Sequence, residues 1–159
     1  MGFMGLSFYW WPALQVNMRS KGGTLEIENA QAVVEAQVDA YNAHDITAFA
    51  ATYAQDAEIF DYPASLLMKG RAQIQDYYGT KVFMDPLRHA IIENRIVMGN
   101  IVVDHEKVSL TFPEGPGQME AIVIYEVSAG KIVKATLVRG KKTLAACRPE
   151  QIHANPNGA

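Results

Sequence analysis

Four long runs rich in Val, Ile and Tyr fill the second half of the chain: Ile91 to Met98, Ile101 to Phe112, Met119 to Val127 and Ile132 to Arg139. Extended runs of this length carry rows of backbone donors and acceptors that must find partners, so they constrain the fold more than any other feature. Three turn signals separate them: Gly99-Asn100, the Pro113-Glu114-Gly115-Pro116-Gly117 loop, and Ala129-Gly130. Short turns between successive strands make hairpins, and hairpins in series predict an antiparallel meander.

The first half has a helical period instead. Ala30, Val34, Val38 and Tyr41 recur at three- and four-residue spacing, which predicts an amphipathic helix over Ala30 to Ala43 with Asn29 as N-cap. Asp45 caps a second short helix whose Phe49, Thr52 and Tyr53 share a face. Ala57 to Tyr62 alternates as a short strand; Pro63, without an N–H for a ladder, ends it, and an irregular segment runs to Gly70. Arg71 to Val82 reads as a third helix with Ile74, Tyr77 and Tyr78 inward. Helices first and sheet afterwards is an α+β pattern in which a curved sheet wraps around the helices.

The run from Met119 bears on assembly. Met119, Ala121, Val123, Tyr125 and Val127 make one apolar face, and Ile122 and Ile124 make the other apolar too. One face lines the interior, so the second needs a cover. A homodimer packed through its sheets supplies one; the C-terminal tail or the N-terminal leader is the alternative.

A length of 159 residues suits one domain, and 14 Lys plus Arg against 17 Asp plus Glu excludes a basic nucleic-acid footprint. Met1 to Asn17 carries no charge and holds both tryptophans, Trp10 and Trp11. It falls short of the about 20 apolar residues of a spanning helix. Its first positive charge, Arg19, follows the apolar run instead of preceding it as in a secretory signal, and Leu6 breaks the myristoylation pattern. The expectation is that Met18 is the biological start, that residues 1–23 lie outside a domain of residues 24–142, and that residues 143–159 form a loose tail. An apolar arm covering a partner or its own domain is the alternative. Neither nucleic acid nor membrane is expected as a partner. The single cysteine, Cys147, allows no intrachain disulfide and no cysteine zinc site, and a cytoplasmic location is expected. The histidines at 44, 89, 105 and 153 lack paired ligand spacing and no Walker or Rossmann glycine pattern occurs, so neither metal nor cofactor is expected.

Several strings occur in a telling order. They are Tyr41-Asn42-Ala43-His44-Asp45 at the end of the first helix, Tyr53-Ala54-Gln55-Asp56-Ala57 before the first strand, Lys69-Gly70-Arg71 before the third helix, and Gly130-Lys131-Ile132 in the last hairpin. Together they resemble the superfamily of nuclear transport factor, ketosteroid isomerases and SnoaL-like polyketide cyclases. The resemblance implies three N-terminal helices packed in a strongly curved mixed or antiparallel sheet, a cone with an internal pocket. It says little about chemistry, because that superfamily mixes enzymes with binding modules.

On alternation Asp61 shares a face with Ala57 and Ile59, where burial would raise its pKa toward the range useful for proton transfer. The resemblance agrees, since ketosteroid isomerases carry their proton-shuttling aspartate at the similar place. The alternative is an Asp that ends a strand and bonds local backbone ahead of Tyr62-Pro63. The positions similar to the isomerase oxyanion hole are Gln37 and Val123. Val123 donates nothing, and one lost donor costs about 2.7–4 kcal/mol, so efficient ketosteroid isomerisation is not expected. Gln37 fits a buried, satisfied amide as well as a ligand contact.

The resemblance puts the Val103, His105, Lys107, Ser109 and Thr111 face toward the pocket, which makes His105 a second acid or base. Hydrophobicity favours the opposite register, with Asp104 and Glu106 inward beside Val108, Leu110 and Phe112, and both stay open. His89 stands where SnoaL-like sequences often carry a histidine. Tyr41, Tyr53, Tyr77 and Tyr125 fall on predicted interior faces, and rings with a few polar groups suit a small, largely apolar ligand bearing a carbonyl or hydroxyl. Two functions follow. One is a cofactor-free isomerase, lyase or cyclase in which Asp61 removes a proton alpha to a carbonyl and His105 or a tyrosine returns it. The other is a non-catalytic dimer that binds a small hydrophobic molecule.

Overall fold

Asn29 opens the first helix as its side chain predicts: Oδ1 accepts from the Ala32 N–H at 3.3 Å, filling one of the donors a helix start leaves open. The computed structural model describes residues 29–145. Helix α1 (Ala30–Asn42) buries Ala30, Val34, Gln37 and Ala40. Asp45 caps α2 (Ile46–Ala51) by accepting from the Ala48 N–H at 2.9 Å. Tyr53, expected on the face of this helix, instead begins strand β1 (Tyr53–Asp61).

The stretch expected to be irregular holds strand β2 (Ser65–Lys69), which returns antiparallel along β1. Pro63 sits in the turn between them, where its missing N–H removes no ladder bond. Gly70, at φ 87°, turns the chain into α3 (Arg71–Tyr77), which a π-helical turn, Tyr78–Val82, continues. Two helices therefore precede the first strand, and the third follows the β1–β2 hairpin.

The meander appears as the turn signals predict. Strands β3 (His89–Met98), β4 (Ile101–Phe112), β5 (Gly115–Ser128) and β6 (Lys131–Leu144) pair antiparallel in succession. β6 then pairs in parallel with β1, giving an open, mixed, six-stranded sheet of order β2-β1-β6-β5-β4-β3. β5 takes in part of the expected loop, and β6 takes in Thr143 and Leu144 of the expected tail. The leader, residues 1–23, and Cys147 lie outside the described residues. Among the described residues no helix is long and apolar enough to cross a membrane.

Helix α1 packs on the inner face of the sheet against β3, β4, β5 and β6, while α2 and α3 pack on each other and on β1. Val34, Phe49, Ile59, Ile74, Val102 and Ile132 are fully buried between these layers. Phe49 is the hub of an aromatic cluster, 4.4 Å from the Tyr78 ring and 5.3 Å from the Tyr53 ring.

The Ala129-Gly130 turn joins β5 to β6 with both residues left-handed, at φ 49° and 67°. That is the geometry of a type I′ hairpin, which favours Asn-Gly because an alanine there is disfavoured by about 1–2 kcal/mol. Ala129→Asn is accordingly expected to stabilise the protein by about 0.5–1 kcal/mol, read as a higher urea midpoint at unchanged slope.

Candidate functional site

Strand β4 carries the first decision about the site. Val102, Asp104, Glu106, Val108 and Leu110 are buried on its inner side, and Val103, His105, Lys107 and Ser109 lie on the outer side. Side chains alternate with a period of two, so a strand that turns Val102 and Val108 inward must turn His105 outward. The expectation that His105 serves the pocket is thereby corrected: its Nε2 lies 2.8 Å from Glu120 Oε1 on the outer face.

The inner face and the helices enclose a cavity of about 390 Å³, within the usual range for small-ligand sites. Gln37, Tyr41, Tyr53, Val123 and Tyr125, singled out in the sequence, all line it, as does the half-exposed Tyr77. His89 does not: Ala90 takes the inward position on β3, leaving His89 exposed opposite Ser109.

Gln37 links two rings of the lining. Its Nε2 donates to the Tyr53 hydroxyl at 3.3 Å, and its Oε1 accepts from the Tyr125 hydroxyl at 3.4 Å. Both phenols are fully buried, and that burial pushes their pKa values up, so they remain neutral donors.

Glu106 supplies the carboxyl group of the cavity wall. Burial first, and the neighbouring Asp104 charge second, raise its pKa from 4.5 to about 7. No cation or hydrogen bond among the described residues offsets these two effects. Asp104 is different although it is completely buried: Arg95 Nε and Nη2 donate to its two oxygens at 2.7 Å each, a bidentate pair. Arg95 also reaches Glu35 at 3.3 Å.

Asp61 does not line the cavity and is not in an apolar interior. Its Oδ2 accepts from Arg139 Nη1 at 2.8 Å with the side chain 30% exposed, and Arg139, not Asp61, contributes to the lining. The expectation of a carboxylate surrounded by apolar groups is corrected for Asp61 and transferred to Glu106. Arg88 and Tyr78 complete the polar lining. The inward alternation of β4 pointed to Glu106 in the sequence, whereas nothing local marked Arg88. Among the described residues no group of three or more His, Cys, Asp or Glu comes together in a way that could hold a metal ion.

Comparison with known proteins bears on this geometry. The family described as SnoaL-like domain matches residues 34–135. No curated protein matches the sequence. Among solved structures, a cystatin-fold protein from Novosphingobium aromaticivorans is similar at 19% identity and a TM-score of 0.64, over 69% of this chain and 97% of that one. An LEH-like epoxide hydrolase from Mycobacterium tuberculosis is similar at 18% identity and a TM-score of 0.60, over 70% and 82%. A protein of ketosteroid isomerase-like fold from Catenulispora acidiphila, solved with trimethylamine, is similar at 18% identity and a TM-score of 0.58, over 66% and 82%. At these identities the likeness is one of fold.

Proposed function

Since the chain belongs to the SnoaL-like domain family, we propose that its sheet and helices form the cone of that fold around a ligand pocket, and that the protein is a cofactor-free acid–base enzyme. Its substrate is a small, largely apolar carbonyl compound, and Glu106 carries the proton alpha to the carbonyl. The observation behind this reading is the Glu106 carboxyl in the cavity wall, poised at about 7. A group whose pKa lies near the working pH is present in both the accepting and the donating form, which proton shuttling requires. The neutral hydroxyls of Tyr41 and Tyr78, also in the lining, are donors for a developing enolate oxygen. Asp61 is outside the lining and is paired with Arg139, which does line the cavity.

The competing reading is a binder without chemistry. It is supported by the Gln37 amide, which is occupied by Tyr53 and Tyr125, and by Val123, which offers no donor.

Incorporation of solvent deuterium into a panel of cyclic ketones and enones separates the readings. Exchange by the wild type that Glu106→Gln abolishes is the expected result. Exchange that survives in Glu106→Gln but not in Asp61→Asn returns the role to Asp61, and binding without exchange in every variant establishes the binder.

We also propose that two copies pack through the outer faces of their sheets. Ile96, Val103, Ile124, Thr136 and Phe60 follow one another across five strands in register, and Ile96 and Ile122 are 67% and 40% exposed. A mostly apolar row of this kind on the side away from the helices is the form an interface takes. Sedimentation equilibrium is expected to show a dimer that Ile122→Lys shifts to monomer.

A further inference from the structure

Arg88 lines the cavity, and its Nε is buried without a hydrogen-bond partner among the described residues. A buried guanidinium donor left unmade is costly, so a native site that keeps one calls for an acceptor from outside the chain. The other cations near the cavity are already neutralised: Arg139 by Asp61, and Arg95 by Asp104 and Glu35. The acid closest to Arg88 along the chain, Asp85, gives its oxygens to the Thr111 N–H and hydroxyl and to the Leu87 N–H. Glu106, raised to about 7, is mostly protonated below neutrality and brings little counter-charge there. Arg88 is thus the one lining cation among the described residues without a salt bridge: Asp85 acts on it through charge alone, and the neutral Tyr41 hydroxyl beside it brings no counter-charge.

The main chain around Arg88 is clamped from the end of α1. Asn42 Nδ2 donates to the Ala90 carbonyl at 2.9 Å and its Oδ1 accepts from the Ala90 N–H at 2.7 Å. His44 Nε2 donates to the Arg88 carbonyl at 2.7 Å. His44 holds that position with a left-handed backbone, φ 53°, and its ring stacks on Phe83 at 5.4 Å. Asn42 and His44, at the end of α1, therefore fix the chain that presents Arg88, and such preorganisation is what a binding group needs. Beside Arg88 the lining is apolar: Ala90, Val108, Leu110 and Met119 cluster with Tyr41.

We infer that Arg88 anchors an anionic oxygen of the ligand, and that the molecule the cavity takes is a small carboxylate with an apolar or aromatic body. The inference rests on the cavity being a ligand pocket and adds the charge of its occupant. Asn42 and His44 are positioning residues. A carboxylate oxygen on Nε completes the missing hydrogen bond and neutralises the cation in one contact, which an amide or ketone does only in part.

Titration calorimetry at about pH 6, below the pKa of Glu106 and above that of an ordinary carboxylate, tests this with benzoate, trans-cinnamate and 2-naphthoate. Each is compared with its carboxamide and its methyl ketone. At least one acid is expected to bind wild type about tenfold or more tighter than its neutral analogues, the scale of one charge-assisted bond. Arg88→Gln is expected to remove that preference by weakening the acid about tenfold or more beyond any loss for its ketone, and Arg88→Lys to keep part of it. The wild-type comparison does not depend on how well any variant folds. Equal binding of acids and neutral analogues, or an undiminished preference in a folded Arg88→Gln, overturns the proposal and leaves the pocket reading standing. Binding of none of the probes overturns both.

Discussion

Glu106→Gln is expected to lower deuterium exchange by about 10²- to 10⁴-fold, the contribution of a positioned acid–base group. The same variant is expected to be the more stable protein at alkaline pH. In the folded state the Glu106 pKa is about 7, whereas its ordinary value is 4.5. Below the lower value both states hold the proton and the wild type has its full stability. Between the two values the unfolded chain releases the proton while the folded chain keeps it, so stability falls as pH rises. Above the higher value the folded state carries a buried, unpaired charge and the contribution is gone. At about 1.36 kcal/mol per pKa unit, the loss across this window is about 3 kcal/mol. Glutamine has nothing to titrate, so urea unfolding at about pH 5 and about pH 8 should show the wild type losing that amount relative to the variant. Parallel profiles would mean that Glu106 titrates as an exposed acid, and the assignment of its role would go with them.

Arg95→Met is expected to destabilise the fold by about 3–5 kcal/mol, the cost of leaving a buried charge without its partner. Asp104 has no exposure at all, and both of its oxygens are bonded by Arg95. Arg95→Met with Asp104→Leu is expected to recover most of the loss, because an apolar pair of similar volume removes both desolvation costs. The double variant also checks the cavity. Asp104 is the second cause of the raised Glu106 pKa, so its removal should move the Glu106 titration downward without abolishing the shift due to burial. Chemical denaturation gives the first result, and the pH dependence of stability gives the second.

Much of the fold was legible because its signals are local. Asn29 and Asp45 cap helices through bonds that span three residues, and the Gly99, Gly115 and Gly130 turns need only their own backbone freedom. The strand hidden at Ser65–Lys69 was not legible, since Pro63 reads as a breaker until the chain is seen to reverse there. The site was legible in part. Gln37, Tyr41, Tyr53, Val123 and Tyr125 sit on faces that apolar periodicity marks as inward, and they line the cavity. His105, His89 and Asp61 were misplaced for separable reasons. On β4 the structure takes the register that hydrophobicity favours, which turns His105 outward; Ala90 takes the inward place on β3 that the resemblance suggested for His89; and Asp61 meets a guanidinium from 78 positions away.

The amino-acid sequence by itself determined the helices, the meander and the α+β class, because caps, turns and periodicity act over a few residues. It also determined that a carboxylate would face the interior. Only the tertiary structure decided which one. Desolvation depends on everything packed around a group, so Glu106 is poised near 7 beneath the helices, while Asp61, thirty per cent exposed beside Arg139, is not buried. The same holds for Arg88, whose unmet donor exists because the end of α1 and the start of β3 meet across the fold.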